Sequence, residues 1–152
     1  MTGEELTDQI ALVTGGGRGI GANIARELTA AGARVAVAAR TRDQVAEVAN
    51  EIGGLALELD VTDRSAVEGA VAEAERELGP LTLLVANAGI GGPDGATWEV
   101  EPEDWWRVQE VNVRGVHGRS APKPLVISVC TRPGLKKKTG MRSASSLASV
   151  SP

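Results

Sequence analysis

Along its first 116 residues the chain alternates short, mainly apolar blocks with stretches in which apolar residues recur every three or four positions. The blocks at 9–14, 34–39, 55–61 and 81–89 are typical of strands that are buried on both faces of a sheet. The stretches that follow these blocks predict amphipathic helices, of which the fourth covers 102–116. The pattern therefore predicts four strands that alternate with helices.

This alternation predicts the fold class. Short strands joined by helices favour a parallel sheet with right-handed helical crossovers. We expect an α/β fold, a Rossmann-type doubly wound sheet of strand order 3-2-1-4 that is truncated after about four strands. The apolar run at 125–130 offers a fifth strand beside the fourth. Without that neighbour the fourth strand becomes an apolar edge, which promotes aggregation.

Charge divides the chain after residue 116. Residues 1–116 contain all 20 acidic residues, nine arginines and no lysine, which gives a net charge of −11. Residues 117–152 contain four lysines, three arginines and no acidic residue, which gives +7. We interpret 1–116 as one incomplete domain and 117–152 as a poorly ordered basic tail rich in serine, proline and lysine. A frame shift, a gene fragment, an alternative ending and a genuinely divergent tail each explain this change.

Composition excludes several other classes of protein. Cys130 is the only cysteine, so no internal disulfide can form and a reducing cytoplasm is expected. No signal peptide and no apolar run long enough for a bilayer is evident. We expect no metal site, because His117 has no ligand spacing around it. We also expect no nucleic acid partner and interpret Lys136, Lys137 and Lys138 as solvated charge.

The densest local signal is a group of glycines between the first strand and the first helix. It includes Gly15, Gly19 and Gly21. In an open parallel sheet ligands bind at the carboxyl ends of strands, where a helix N-terminus favours phosphate. Glycine lets the backbone approach a pyrophosphate closely and lets a helix start near its strand. Such turns also occur where nothing binds, so the glycines alone leave a plain turn open.

Further motifs follow in a defined order. They are Thr14-Gly15-x-x-x-Gly19-x-Gly21, "LDVTD" at 59–63, "NAG" at 87–89 and Asn112 in "VNVRG". Together they resemble the short-chain dehydrogenase/reductase family over about residues 8–116, where Ala86 replaces the first residue of the family's Asn-Asn-Ala-Gly. The resemblance implies that this region is a Rossmann dinucleotide-binding domain. It implies pyrophosphate contacts at Gly15, Gly19, Ile20 and Gly21, adenine contacts at Asp60 and Val61, and contacts beside the cofactor at Asn87, Ala88 and Gly89.

The second strand indicates which nicotinamide cofactor is bound. An acidic residue at its end would accept the ribose hydroxyls of NAD, but the chain has Ala39 there, followed by Arg40. Arg18 lies inside the glycine turn. NADP carries a 2′-phosphate that NAD lacks, and two guanidinium groups can bind it. We therefore expect NADP(H) to be preferred over NAD(H). A solvated surface charge is the alternative for Arg40, and a plain turn residue is the alternative for Asp60.

The resemblance also implies a reaction, which is hydride transfer between the nicotinamide and an alcohol or carbonyl. In the family a tyrosine is the acid/base, a lysine four residues later lowers its pKa, a serine positions the substrate and an asparagine orders a relay water. Asn112 matches that asparagine, and Ser146 in "ASSLASVSP" matches the serine. Ser146 lies in a serine-rich stretch, where chance also gives such a match. The chain contains no tyrosine, so Tyr-x-x-x-Lys is absent.

We therefore expect an NADP-dependent oxidoreductase by resemblance. Its intact parent would act on a small alcohol or carbonyl and form a homo-oligomer, whereas this chain would be inactive and prone to aggregate. A non-catalytic NADP-binding or regulatory module is one alternative. An active enzyme with a substitute base or a complementing chain is another. We further expect Trp105 or Trp106 to pack under the fourth helix.

Overall fold

The computed structural model describes residues 6–96, 98–117 and 125–128. Five strands and four helices lie within these ranges. In chain order they are β1 (Ile10–Thr14), α1 (Gly19–Ala30), β2 (Arg34–Ala39), α2 (Arg42–Ile52), β3 (Leu55–Glu58), α3 (Arg64–Leu78), β4 (Leu83–Ala86), α4 (Pro102–Asn112) and β5 (Leu125–Ser128). A short 3₁₀ turn, Arg114–His117, separates α4 from β5.

The strands form one parallel sheet of order β3-β2-β1-β4-β5. Leu12 of β1 pairs with Ala36 on one side and with Leu84 on the other. The predicted order 3-2-1-4 is therefore confirmed. The fifth strand lies within the predicted 125–130 and pairs with β4, so β4 is an inner strand and β5 is the outer one among the described strands.

The core lies on both faces of the sheet, which explains why the strands are apolar throughout. All five residues of β1 are buried. Its alternate residues point to opposite faces, so Val13 packs in the cluster beneath α1 and α2, whereas Leu12 packs in the cluster beneath α3. Burial of each such side chain contributes about 1.5–3 kcal/mol relative to an exposed position. The central strand is thus fixed from both sides.

The ends of the helices follow local side-chain chemistry. The Asp63 carboxylate caps α3 by accepting from the backbone N–H groups of Ser65 at 2.9 Å and Ala66 at 3.1 Å. This cap starts α3 ahead of its apolar stripe, which begins at Val67. Gly53 follows α2 with a φ of 63°, the left-handed conformation in which glycine ends a helix at low cost.

The fourth helix is shorter than predicted. It ends at Asn112, and the chain then tightens into the 3₁₀ turn. Gly115 in that turn lies against Val61, since a Cβ on Gly115 would lie 2.8 Å from the Val61 Cγ2. The turn thus brings the chain close to Val61, three residues beyond the end of β3.

The expectation that a tryptophan packs under α4 is wrong for the described residues. Trp105 and Trp106 are 44% and 62% exposed, and α4 buries no residue at all. The other three helices each bury at least two residues against the sheet. Within the described ranges no helix is both long and apolar enough to cross a bilayer.

Candidate functional site

A cleft of about 540 Å³ opens at the carboxyl ends of the parallel strands. The loops that follow β1, β2, β3 and β4 all contribute to its walls, as expected at the edge where the chain order of the strands reverses. Every residue predicted to contact a cofactor lines it. These residues are Gly15, Arg18, Gly19, Ile20, Gly21, Arg40, Asp60, Val61, Asn87, Ala88 and Gly89.

Two glycines allow the first helix to begin directly behind the first strand. Gly15 has a φ of 67°, a left-handed conformation that side chains rarely adopt. A Cβ on Gly21 would collide with the Gly15 carbonyl oxygen and with the Asn87 Nδ2. Only a residue without a side chain fits at position 21, so the backbone itself forms the floor of the cleft.

The ends of β1 and β4 are joined by a buried hydroxyl. The Thr14 Oγ1 donates to the Val85 carbonyl oxygen at 3.3 Å and accepts from the backbone N–H groups of Asn87 at 3.1 Å and Ala88 at 3.2 Å. Thr14 and Asn87 are only 9% and 8% exposed. Because a buried polar group without a partner is costly, this hydroxyl fixes the "NAG" turn against the glycine turn.

The Asn87 side chain reinforces the same junction. Its Nδ2 donates to the carbonyl oxygens of Thr14 at 3.0 Å and Gly15 at 3.2 Å. Its Oδ1 is buried and has no hydrogen-bond partner within the described residues. Asn87 therefore holds the glycine turn in place with its amide nitrogen.

The N-terminus of α1 faces the cleft without a cap. Arg18 precedes the helix in an extended conformation, and its side chain caps no backbone N–H group. No acidic residue lies in the first turn, and Arg18, Gly19 and Ile20 are exposed. The first N–H groups and the positive end of the helix dipole are therefore available to an anion in the cleft.

The end of β2 adds a second positive group. Arg40 and Arg18 are both exposed, and neither forms a hydrogen bond or ion pair in the part of the chain that the structure describes. Thr41 precedes α2 at the cleft, and its side chain caps no N–H group. Gln44, one turn into α2, also lines the cleft. Neither Thr41 nor Gln44 was predicted from the sequence, although both lie close to Arg40 along the chain.

Asp60 lies where the chain leaves β3. Its Oδ1 accepts from the Thr62 backbone N–H at 2.9 Å and from the Thr62 hydroxyl at 2.7 Å. These two bonds, with a smaller contribution from the charge of Arg40, lower the pKa of the Asp60 carboxyl from its ordinary value. The carboxylate is therefore ionised near neutral pH. Its hydrogen bonds support the turn that presents Val61 to the cleft.

Asn112 holds the loop that follows β4. Its Oδ1 accepts from the Ile90 backbone N–H at 2.9 Å, and its Nδ2 donates to the Ile90 carbonyl oxygen at 3.0 Å. Ile90 itself lines the cleft, so α4 positions this wall through one side chain. Both polar ends of the Asn112 side chain are used in this contact. Ser146, the other residue predicted to be catalytic, lies outside the described residues.

Comparison with known proteins agrees with this geometry. A family model described as short chain dehydrogenase matches residues 9–121. The cis-4-hydroxycyclohexanecarboxylate dehydrogenase of Sinomonas cyclohexanicum is 40% identical over 118 residues, which cover 75% of this chain and 47% of that protein.

Solved structures show the same architecture. The crystal structure of 3-ketoacyl-(acyl-carrier-protein) reductase from Brucella melitensis, complexed with NADH, gives a TM-score of 0.72 at 38% identity and covers 74% of this chain and 48% of that one. An actinorhodin polyketide ketoreductase with NADPH gives a TM-score of 0.69 at 37% identity, covering 72% and 44%. The chain thus spans less than half the length of these relatives.

Proposed function

The chain belongs to the short chain dehydrogenase family, and on that premise we propose that its cleft binds a nicotinamide dinucleotide, with NADP(H) preferred over NAD(H). The observation that carries the proposal is the pair of exposed arginines, Arg18 and Arg40, at one end of a glycine-floored cleft, where neither forms a hydrogen bond or ion pair with another described residue. The solved relatives named above contain NADH in one case and NADPH in the other, so the family alone does not decide between them.

The glycine turn fits a pyrophosphate. The backbone at Gly15, Gly19, Ile20 and Gly21 offers N–H groups at a helix N-terminus that carries no competing acidic side chain. A Cβ at Gly21 has no room, so the cradle depends on the missing side chain. We assign the pyrophosphate to these residues.

The 2′-phosphate of NADP(H) would lie between Arg18 and Arg40, with the Thr41 hydroxyl as a further donor. A guanidinium presents a planar pair of N–H groups that matches phosphate geometry. Ala39 ends β2 without a carboxylate, so no acidic side chain at that point repels the phosphate. This arrangement is the basis of the proposed preference.

The adenine and the nicotinamide of the cofactor are assigned to other walls of the cleft. We assign the adenine to Asp60 and Val61 and the nicotinamide end to the "NAG" turn, Asn87, Ala88 and Gly89. A bound nicotinamide supplies a hydride to a carbonyl or accepts one from an alcohol. We assign to Asn112 the role of positioning Ile90, which lines the cleft beside the proposed nicotinamide end.

For the intact parent we propose oxidation or reduction of a small alcohol or carbonyl by a homo-oligomer in the cytoplasm. For this chain we propose cofactor binding without turnover, together with a tendency to aggregate. The 152 residues contain no tyrosine, so no phenol is present to exchange the proton that accompanies hydride transfer. Ser146 remains a proposed substrate-positioning residue.

The first test of cofactor choice is the substitution Arg40→Ala. A hydrogen bond to a charged group contributes about 1.5–3 kcal/mol, so NADPH affinity should fall about 10–100-fold while NADH affinity stays within about twofold. Isothermal titration calorimetry with each cofactor measures both constants. Arg34→Ala is the matched control, because Arg34 is exposed at the opposite end of the same strand. An unchanged NADPH affinity in Arg40→Ala would refute the preference.

Turnover is tested separately. The purified chain is incubated with NADPH and a panel of aliphatic and aromatic ketones, and absorbance at the reduced-nicotinamide band is followed. We expect binding and no cofactor oxidation above the rate without protein. Oxidation that requires the chain would show that another group supplies the proton, while leaving the cofactor assignment intact.

A further inference from the structure

The groups that could bind a ligand are distributed unevenly along the cleft. We call the part formed by the loops after β1, β2 and β3 the adenosine end, and the part formed by residues 87–90 and α4 the nicotinamide end, after the cofactor assignment proposed above. Among the described residues that line the cleft, Arg18, Arg40 and Asp60 are the ionisable ones. All three lie at the adenosine end, so the charge of the cleft is confined to that end.

The backbone at the nicotinamide end is largely paired within the chain. The Thr14 Oγ1 accepts from the backbone N–H groups of Asn87 and Ala88 at 3.1 and 3.2 Å. The Asn112 Oδ1 accepts from the Ile90 N–H at 2.9 Å, and the Asn112 Nδ2 donates to the Ile90 carbonyl oxygen at 3.0 Å. Three of the four N–H groups in this segment are thus occupied, and a nicotinamide carboxamide would gain new bonds only by breaking existing ones.

The side chains at the nicotinamide end are also engaged or apolar. The Asn87 Nδ2 donates to two backbone carbonyl oxygens, and the Asn87 Oδ1 is buried, so this carboxamide is closed to a ligand in the cleft. Ile90 and Val111 contribute apolar surface. An oxidised nicotinamide ring carries a positive charge that the reduced ring lacks. No ionisable side chain among the described residues at this end distinguishes the two forms.

The adenosine end is free to bind and is held in place by the backbone. Both of its arginines are exposed, with no hydrogen bond or ion pair to another described residue. The loops around them are joined by hydrogen bonds from the Gly16 N–H to the Ala38 carbonyl oxygen at 3.1 Å and from the Leu59 N–H to the Ala39 carbonyl oxygen at 2.9 Å. A site that is already organised in this way loses less conformational entropy when a ligand binds.

Hydrogen bonds to ionised groups are about twice as strong as neutral ones, so the phosphates of a ligand should supply most of its binding free energy. We therefore propose, on the basis of the cofactor preference inferred above, that the cleft recognises the 2′-phosphoadenosine diphosphate half of its ligand. Nucleotides that lack the nicotinamide, such as 2′-phospho-ADP-ribose, then bind as tightly as NADPH. The oxidised and reduced cofactors also bind alike, and occupancy follows the total concentration of 2′-phosphorylated nucleotide rather than its redox state.

Calorimetric titration of the full chain with four ligands separates the contributions of the two ends. NADPH, NADP⁺ and 2′-phospho-ADP-ribose share the 2′-phosphate and should bind with dissociation constants within about fivefold of one another. ADP-ribose lacks that phosphate and should bind at least about tenfold more weakly than 2′-phospho-ADP-ribose. Adding 2′-phospho-ADP-ribose to the NADPH complex should displace the NADPH completely, because both ligands occupy one cleft.

Two ratios distinguish the ways in which these expectations can fail. If NADPH bound more than about fivefold tighter than 2′-phospho-ADP-ribose or NADP⁺, the nicotinamide end would contribute and this proposal would be overturned, while the 2′-phosphate preference would stand. Equal affinities for ADP-ribose and 2′-phospho-ADP-ribose would refute the preference itself. If a chain that far-UV circular dichroism shows to be folded bound none of the four ligands, both proposals would be refuted.

The variant Arg40→Ala tests whether all three phosphorylated ligands use the same contact. It should weaken NADPH, NADP⁺ and 2′-phospho-ADP-ribose by the same factor, to within about twofold. Arg34→Ala is the matched control, because Arg34 is exposed at the opposite end of β2, and it should change none of the three. A loss of affinity confined to NADPH would show that the contact depends on the nicotinamide and would also overturn the proposal.

Discussion

The two ends of the cleft are built in opposite ways. Where β1 meets β4, Thr14 and Asn87 are buried and tie the strand ends together with hydrogen bonds. Where β2 ends, Arg18 and Arg40 are exposed and have no hydrogen-bonded partner among the described residues. The first end stabilises the fold and shapes the cleft for any dinucleotide. The second forms no such bonds, and it is the end to which we assign the choice between NADPH and NADH.

The largest effect is expected from Gly21→Ala at the buried end. Its methyl group would collide with the Gly15 backbone and Asn87, so we expect loss of about 1–3 kcal/mol of stability and of measurable binding of both NADH and NADPH. Gly69→Ala is the matched control, since open space surrounds Gly69 in the interior of α3, and it should stabilise by up to about 1 kcal/mol. Urea unfolding and calorimetry measure both. Retained binding in Gly21→Ala would contradict the backbone cradle.

Thr14→Val should act next most strongly. The substitution keeps the shape but leaves the Asn87 and Ala88 N–H groups without their acceptor, at a cost of about 1–3 kcal/mol for a buried group. Thr14→Ser retains the hydroxyl and should lose less than half as much. Both cofactors should weaken to a similar degree. If urea unfolding gave equal stability for the valine and serine variants, the hydroxyl would not be what joins the ends of β1 and β4.

At the exposed end, Arg18→Ala combined with Arg40→Ala should leave the urea midpoint within experimental error. Its effect should be on discrimination, because the ratio of NADPH to NADH affinity falls towards one. In the parent chain that ratio should also decline as sodium chloride rises from about 20 to about 300 mM, because the Debye length falls about fourfold and the attraction between guanidinium and phosphate is screened. The double variant should show a ratio independent of salt. A large loss of stability in the double variant would contradict the view that the exposed end of the cleft does not stabilise the fold.

The smallest expected effect is on the free energy of unfolding at acidic pH. Hydrogen bonds from Thr62 lower the pKa of Asp60 in the folded chain, so its stabilising contribution is complete above the unfolded pKa of about 3.9 and is lost as pH falls through the lower folded pKa. The parent should therefore be slightly more stable than Asp60→Asn at pH 7, and the gap should close below about pH 4. Urea unfolding at several pH values measures it. A gap that widens in acid would reverse the assigned sign.

Local patterns predicted most of the sheet. Each strand is a short apolar run bounded by glycine, proline or polar residues, which is typical of a strand covered on both faces, as β1 is. The residues that we propose as cofactor contacts were also predicted from the sequence, because the glycine turn and "NAG" carry their signal within a few residues. These residues do line one cleft.

Features that depend on distant parts of the chain were not predicted. The Thr14–Asn87 junction joins residues 73 positions apart, and neither residue alone indicates its partner. Thr41 and Gln44 line the cleft only because α2 starts at its rim. Trp105 or Trp106 was expected to pack under α4, yet burial requires a facing surface, and both side chains are exposed.

The central position of β1 also has a consequence for the order of assembly. Its partner β2 follows after one helix, whereas β4, its other partner, is synthesised only after two further helices and β3. During translation the β1–β2–β3 half can pair first through contacts close in sequence. One side of β1 then stays unpaired until β4 is synthesised, so we expect the β1–β4 pairing, and with it the hydrogen bonds of the Thr14 hydroxyl, to form after the β1–β2–β3 half.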